Sequence, residues 1–200
     1  GVDNTLIGGE AGDALTTGGN NVAIGKDALG ADTLGSRNIA IGNNALVTQN
    51  FTTATNSYNI AIGHSAGLAI TTGTENVLVG AFTGDAITTG TENTAIGYQA
   101  LSTEDAHGNN VAVGYYALKD LNAGTDSYQT SVGYQAGMSV TTGIRNTLIG
   151  GLTGDALTSG ERNTAVGYAV MSADTLGSRN VGVGYEVLGN QNFTTATNAY

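Results

Sequence analysis

One five-residue motif returns at a nearly fixed interval along the whole chain. It reads Asn, a β-branched residue, a variable residue, Ile or Val, then Gly. It occurs eleven times, starting at Asn4, Asn21, Asn38, Asn59, Asn76, Asn93, Asn110, Gln129, Asn146, Asn163 and Asn180. The spacing is 17 residues except for 21 after Asn38 and 19 after Asn110. A unit this short cannot bury a core of its own, so the chain must stack units into a solenoid. A second order lies above the first. Units at Asn4, Asn76 and Asn146 share Gly-Asp-Ala-Leu/Ile-Thr-Thr/Ser-Gly, and those at Asn38 and Asn180 end in Asn-Phe-Thr-Thr-Ala-Thr-Asn. Four unit types cycle with a super-period of 70 to 72 residues. Tyr200 falls where Tyr58 falls, before the next expected Asn, so residues 1–200 are expected to be one repeat segment of a longer fibre.

Composition agrees with a thin, repetitive architecture. Thirty-two of the 200 residues are Gly, with no Pro, Cys or Trp, and the 40% hydrophobic content comes mostly from small and β-branched side chains. Without cysteine no disulfide or thiolate metal site can hold the fold. The formal charge of −10 argues against nucleic acid or an anionic membrane as partner. No apolar stretch approaches the ~20 residues of a membrane span, so no membrane insertion is expected.

Within each unit the residue after the Asn, and the one two places on, are β-branched at all eleven sites, from Thr5 and Ile7 to Val181 and Val183. That period-2 pattern predicts a short strand per unit, with these side chains inside the coil. One unit is then one rung, and eleven rungs stacked at ~4.8 Å span roughly 50 Å. The recurrent Gly predicts a turn. The recurrent Asn predicts a structural ladder along Asn4, Asn21, Asn38, Asn59, Asn76, Asn93, Asn110, Asn146, Asn163 and Asn180, with the Gln129 amide standing in once.

Between the two β-branched residues lies a stripe of Leu6, Ala23, Ala40, Ala61, Leu78, Ala95, Ala112, Ser131, Leu148, Ala165 and Gly182. On this reading the stripe faces outward, where an isolated coil should be polar. An apolar outer stripe is an association surface. Leu6, Ala23, Ala40, Ala61, Leu78, Ala95, Ala112, Leu148 and Ala165 are therefore expected to face the axis of a closed oligomer of identical chains.

The residues 20–25, Asn-Asn-Val-Ala-Ile-Gly, and 93–101, Asn-Thr-Ala-Ile-Gly-Tyr-Gln-Ala-Leu, resemble the head repeats of YadA-like trimeric adhesins and of related bacteriophage tail fibres. The resemblance covers essentially the whole chain. It implies an all-β fold, a left-handed parallel β-roll, three chains about one axis, and adhesion or host recognition as the role. The rungs are longer than those of the bacterial adhesin heads, and the Tyr-Gln-Ala-Leu wording is closer to the phage fibres.

Chemical motifs are sparse. Residues 63–67, Gly-His-Ser-Ala-Gly, match a nucleophile elbow, but the equivalent rung reads Gly-Tyr-Gln-Ala-Gly and the only other His is His107. No catalytic residue, bound metal or cofactor is expected. Asp13, Asp85 and Asp155 occupy equivalent positions, yet one acid per rung cannot supply the six or more oxygens of a Ca²⁺ site unless chains converge. Lengthened segments 49–58, 119–128 and 191–200 should bulge from the coil and are candidate binding loops, with Gln49, Asn50, Phe51, Thr52, Asn122, Asp126, Tyr128, Gln191, Asn192 and Phe193 as contact residues. Packing of these loops on a neighbouring chain would explain them equally well.

The expected function is a structural fibre segment, extracellular, on a virion as part of a tail fibre or on a bacterial cell surface as an adhesin. The expected partners are two further copies of the chain and a cell-surface glycan or protein receptor. Ice binding is the rival, prompted by Thr pairs such as Thr71-Thr72 and Thr88-Thr89, although unlike rungs interrupt them.

Overall fold

The repeated motif becomes a short strand in every turn. These strands are Thr5–Ile7, Val22–Ile24, Ile39–Ile41, Ile60–Ile62, Val77–Val79, Thr94–Ile96, Val111–Val113, Thr130–Val132, Thr147–Ile149, Thr164–Tyr168 and Val181–Tyr185. They pair in chain order in one parallel sheet of eleven strands, each with the equivalent strand of the next turn. The register is strict: Leu6 opposes Ala23, and Ala61 opposes Leu78. The computed structural model describes residues 1–193 and 195–198, and over these the chain is a parallel β-solenoid without helix. Thr194 and Tyr200, which the third lengthened segment includes, lie outside the described residues.

Four residues after each Asn the chain turns at Gly. From Gly8 to Gly184 these glycines have φ between 126° and 141°, a region barred to side-chain-bearing residues. A Cβ on Gly97 would lie 2.3 Å from the Gly114 carbonyl oxygen of the next turn. Away from the sheet, backbone groups still bond between turns: Leu29 N–H donates to Ala45 O at 2.9 Å and Asp27 N–H to Gly9 O at 3.0 Å. The backbone of each turn is thereby satisfied by its neighbours, as a buried repeat requires.

The two faces of the sheet are the reverse of the sequence expectation. Ala23, Ala40, Ala61, Leu78, Ala95, Ala112, Leu148 and Ala165 are completely buried within the single chain, so they line the coil's own interior and not a shared axis. Leu6, in the first turn, is partly exposed for lack of a preceding rung. The β-branched residues on either side point outward, with Ile62, Ile96 and Ile149 exposed by 37 to 39%.

Interior volume explains the reversal. The wall opposite the sheet already supplies Ala28, Ala45, Ala100 or Ala117 and a large residue such as Leu29, Leu46, Leu101 or Leu118, all fully buried. Two inward β-branched residues per rung would overfill so narrow a coil. The large side chains also alternate in place. Rungs with Leu29, Leu46, Leu101 or Leu118 carry Ala in the strand, whereas the Leu78 and Leu148 rungs carry Gly84 and Gly154 at the site of that wall leucine. A Cβ on Gly84 would come 2.8 Å from Leu78 Cδ2. One leucine fits where two would collide.

Candidate functional site

The surfaces that can meet a partner are what the packed coil leaves outside. The first is the outer face of the eleven-stranded sheet, two parallel columns of β-branched side chains. It runs from Val22 and Ile24 through Val111 and Val113 to Val181 and Val183. Among the described residues none closes it over: Ile96 remains 39% and Val183, in the last turn, 66% exposed.

Beyond the glycine turn lies a second exposed column, one residue per rung. Here Tyr98, Tyr115 and Tyr134 stack in sequence, with ring centroids 5.6 and 5.5 Å apart and planes within 16° and 8° of parallel. Tyr168 and Tyr185 form a second stack at 5.5 Å. In-register rungs force this contact, because each ring sits one strand spacing from its equivalent. The side chain of Tyr116 joins the cluster, 4.0 Å from the Tyr115 ring. Its hydrogen bond, followed by burial, pushes the Tyr115 phenol up to about 12, so the Tyr115 phenol stays uncharged at neutral pH. The sequence reading passed over this ladder, although the aromatic column is visible once rungs are aligned at 17 residues.

The lengthened segments contribute less than their length suggests. Thr55–Asn56 pairs with Gly35–Ser36 of the preceding turn, folding segment 49–58 back on the coil. Gln49 is fully buried, donating to Asp32 Oδ2 at 2.6 Å and accepting from Asn59 Nδ2 at 2.8 Å. Phe51 is buried as well. Both were expected to contact a receptor; both are anchors instead, since the coil uses the insertion to cover its own polar interior. Asn50 and Thr52 are exposed, and Asn50 Oδ1 accepts from the Thr33 hydroxyl at 2.9 Å. In the second segment Asn122, Asp126 and Tyr128 are exposed, Asp126 taking the Gly108 N–H at 3.0 Å. In the third, partly buried Gln191 donates to Asp174 at 2.7 Å. Exposed Asn192 accepts from the Thr175 hydroxyl at 3.1 Å, and Phe193 is partly buried.

The Asn side chains form a ladder inside the coil. Most bind their own turn and the next: Asn76 Nδ2 donates to Gly90 O at 2.9 Å, and Asn76 Oδ1 accepts Asn93 N–H at 3.0 Å, whereas the Nδ2 of Asn38, Asn110 and Asn180 donates to the Asn of the preceding turn. The Gln129 amide makes the equivalent contact to Asn146 N–H at 3.0 Å.

Groups with possible chemistry are already occupied or isolated. Ser65 is buried, its Oγ 3.5 Å from the ring of His64, which packs edge-on against Phe82. Among the described residues no carboxylate orients that imidazole. Glu104, Asp105 and His107 lie close enough to hold a metal ion, with ligand atoms within 4.8 Å. The buried Glu104 clasps this irregular turn: its Oε1 accepts the Asp105 and His107 N–H groups and lies 3.1 Å from His107 Nδ1, and its Oε2 accepts the Ala123 N–H at 3.5 Å. Asp85 and Asp155 are four rungs apart, roughly 19 Å, so a single chain does not gather them. In each, one buried carboxylate oxygen has no hydrogen-bond partner, and burial raises the pKa.

Fold and surfaces together define the class, a β-solenoid repeat protein with an open apolar sheet face. Comparison with known family models, curated proteins and solved structures finds no match. Among the described residues no helix is long and apolar enough to cross a membrane.

Proposed function

We propose that this chain is a segment of a homotrimeric fibre, a left-handed β-roll, that spans distance and presents recognition surfaces outside the cell. A bacteriophage tail fibre is the favoured setting, and a bacterial surface adhesin the alternative. The carrying observation is the outward β-branched face. Nine strands of three residues and two of five make a patch roughly 50 Å by 10 Å, about 500 Å², at the upper end of what a monomer leaves uncovered. Such a face is covered either by a second copy of itself or by being turned towards the axis of a closed ring of copies. The trimer number and the fibre setting rest on the resemblance of residues 20–25 and 93–101 to trimeric adhesin and tail-fibre repeats. The receptor is a cell-surface glycan or protein, and the role is binding, without catalysis.

Ice binding has less support. The column from Thr16 through Thr71, Thr88, Thr141 and Thr158 is exposed to partly buried, but these hydroxyls donate to backbone carbonyls of the next turn, Thr88 to Asp105 O at 2.9 Å and Thr158 to Thr175 O at 3.0 Å. Hydroxyls held this way follow the rungs and are not free to match an ice lattice; the second Thr of each pair, Thr17, Thr72, Thr89 and Thr142, is exposed, but unlike rungs break that column.

Sedimentation equilibrium tests the proposal. The wild-type chain is expected at three times its 20.0 kDa mass. Ile96→Glu, which puts a carboxylate in each copy of the covered face, is expected to sediment as a folded monomer. A wild-type chain that stays monomeric at every concentration contradicts the proposal.

A further inference from the structure

We propose that the interface between copies takes in both columns that border the β-branched face, the tyrosine column of one copy packing rung by rung against the arginine-bearing column of the next; this rests on the fibre reading above. The alternation that turns each β-branched pair outward runs on at both ends of the strand. In the tenth rung Arg162, Thr164 and Tyr168 are exposed and Val166 partly so, whereas Asn163 and Ala165 are buried. The outer face is therefore four columns wide. Its two borders hold all four arginines of the chain, in the column from Arg37 to Arg179, and seven of its nine tyrosines, every one of the seven at least 40% exposed. Arginine and tyrosine are among the side chains most enriched where proteins meet, and an apolar patch with a polar rim marks an association surface.

Width selects how the copies meet. Seven residues, as from Arg162 to Tyr168, reach about 20 Å at full extension. Sheet faces pack ~10 Å apart, so each face lies about 5 Å from a shared axis. Three such faces enclose a triangle about 17 Å on a side, whose corners fall on the border columns. Four would enclose a square of only about 10 Å, leaving both borders outside. At each corner of the triangle the arginine-bearing border of one copy meets the tyrosine border of the next. With the borders included each copy covers about 1,000 Å², comparable with the roughly 800 Å² that one partner gives to a stable interface.

Charge fits the same pairing. The arginine-bearing column holds Asp3, Glu75 and Glu92 besides its arginines, whereas the tyrosine column carries a formal charge only at Lys26. In a parallel ring Lys26 lies opposite Asn20, and no rung sets two like charges against each other. A centred antiparallel pair would instead lay the first column on its own copy, with Glu92 against Glu92 and Arg37 against Arg145. In the ring Arg162 and Arg179 lie opposite Tyr168 and Tyr185. A guanidinium can present its face to a ring while its edge keeps a carboxylate, as Arg162 keeps Glu161 at 2.8 Å. Within the chain Arg37 already lies 5.9 Å over the Tyr58 ring.

The test is cross-linking with bismaleimidoethane of the full chain carrying Arg162→Cys and Tyr168→Cys, after sedimentation has fixed its oligomeric state. The linker is too short to join the two thiols across one chain's own face, about 20 Å. Covalent trimers are expected on a denaturing gel. Arg162→Cys alone should give none, since its three copies stand at separate corners. Arg162→Cys combined with Tyr98→Cys, four rungs away, should give none either. A trimer that the matched pair does not link, or that either control links as well, overturns the seam and leaves the fibre standing. A monomer overturns the fibre, and the seam with it.

Discussion

An amide at the head of most turns does two jobs at once, satisfying the carbonyl that closes its own turn and the N–H that opens the next. Asn76→Ala leaves Gly90 O and Asn93 N–H without these partners in a buried site. It is expected to cost about 2–4 kcal/mol. Asn76→Gln should cost less than half of that, since Gln129 already fills the role one rung in eleven. Thermal melting of the two variants checks this, and equal melting temperatures for Asn76→Ala and wild type would show the ladder to be ornamental. The ladder was legible because the amide recurs without a gap. The pairs Asp32 with Gln49, buried, and Asp174 with Gln191, partly buried, were not, because each partner reads as an ordinary loop residue until the turns are stacked. Asp85 and Asp155 give a pH signature. Burial holds their folded pKa above the unfolded value, so the ionised form costs stability above the folded pKa, a cost relieved as pH falls through it. Asp155→Asn should therefore stabilise the chain at neutral pH by up to about 1 kcal/mol, these groups being partly solvated. The gain should shrink as pH approaches the ordinary Asp value of about 3.9. A gain independent of pH would assign the effect to something other than the carboxylate.

At the scale of the strand and its turn, glycine and packing volume decide the shape. Gly97→Ala forces a Cβ into the Gly114 carbonyl and a backbone conformation that alanine does not adopt. A loss of at least about 3 kcal/mol is expected, read as a large fall in melting temperature. Retention of wild-type stability would mean the turns can be rebuilt without the close backbone approach. The strands, their order and the turns follow directly from the repeat. Which face of each strand points inward did not, because both faces are mostly apolar, five Thr on the outer one apart, and alternation alone cannot rank them. A signal was nevertheless in the chain: Leu78 and Leu148 occur in rungs that carry Gly84 and Gly154, and the adjacent rungs carry Gly67 and Gly137, where a Cβ would meet those same leucines at 2.9 and 2.8 Å. Residues that compensate for one another's size share an interior. Tyr98, Tyr115 and Tyr134 went unnoticed for a related reason, since a column across rungs is not a pattern along the chain.

For the whole molecule, the inward alanine stripe removes one candidate contact between copies and leaves another, the outer β-branched face. In the lengthened segments Gln49 is buried in the core and Gln191 is tied to Asp174, so neither side chain is free to meet a partner. Because the chain contains no cysteine, a single introduced thiol reports its own position unambiguously. The most direct measurement compares thiol cross-linking of Ile96→Cys, on the outer face, with Ala95→Cys, inside the coil, and Thr52→Cys, on an exposed loop. Ile96→Cys is expected to react slowly with a soluble thiol reagent and to yield covalently linked chains with a short bifunctional linker. Ala95→Cys should do neither, and Thr52→Cys should react freely. If Ile96→Cys instead reacts as fast as Thr52→Cys and never links two chains, the β-branched face meets water and the fibre has no partner on it.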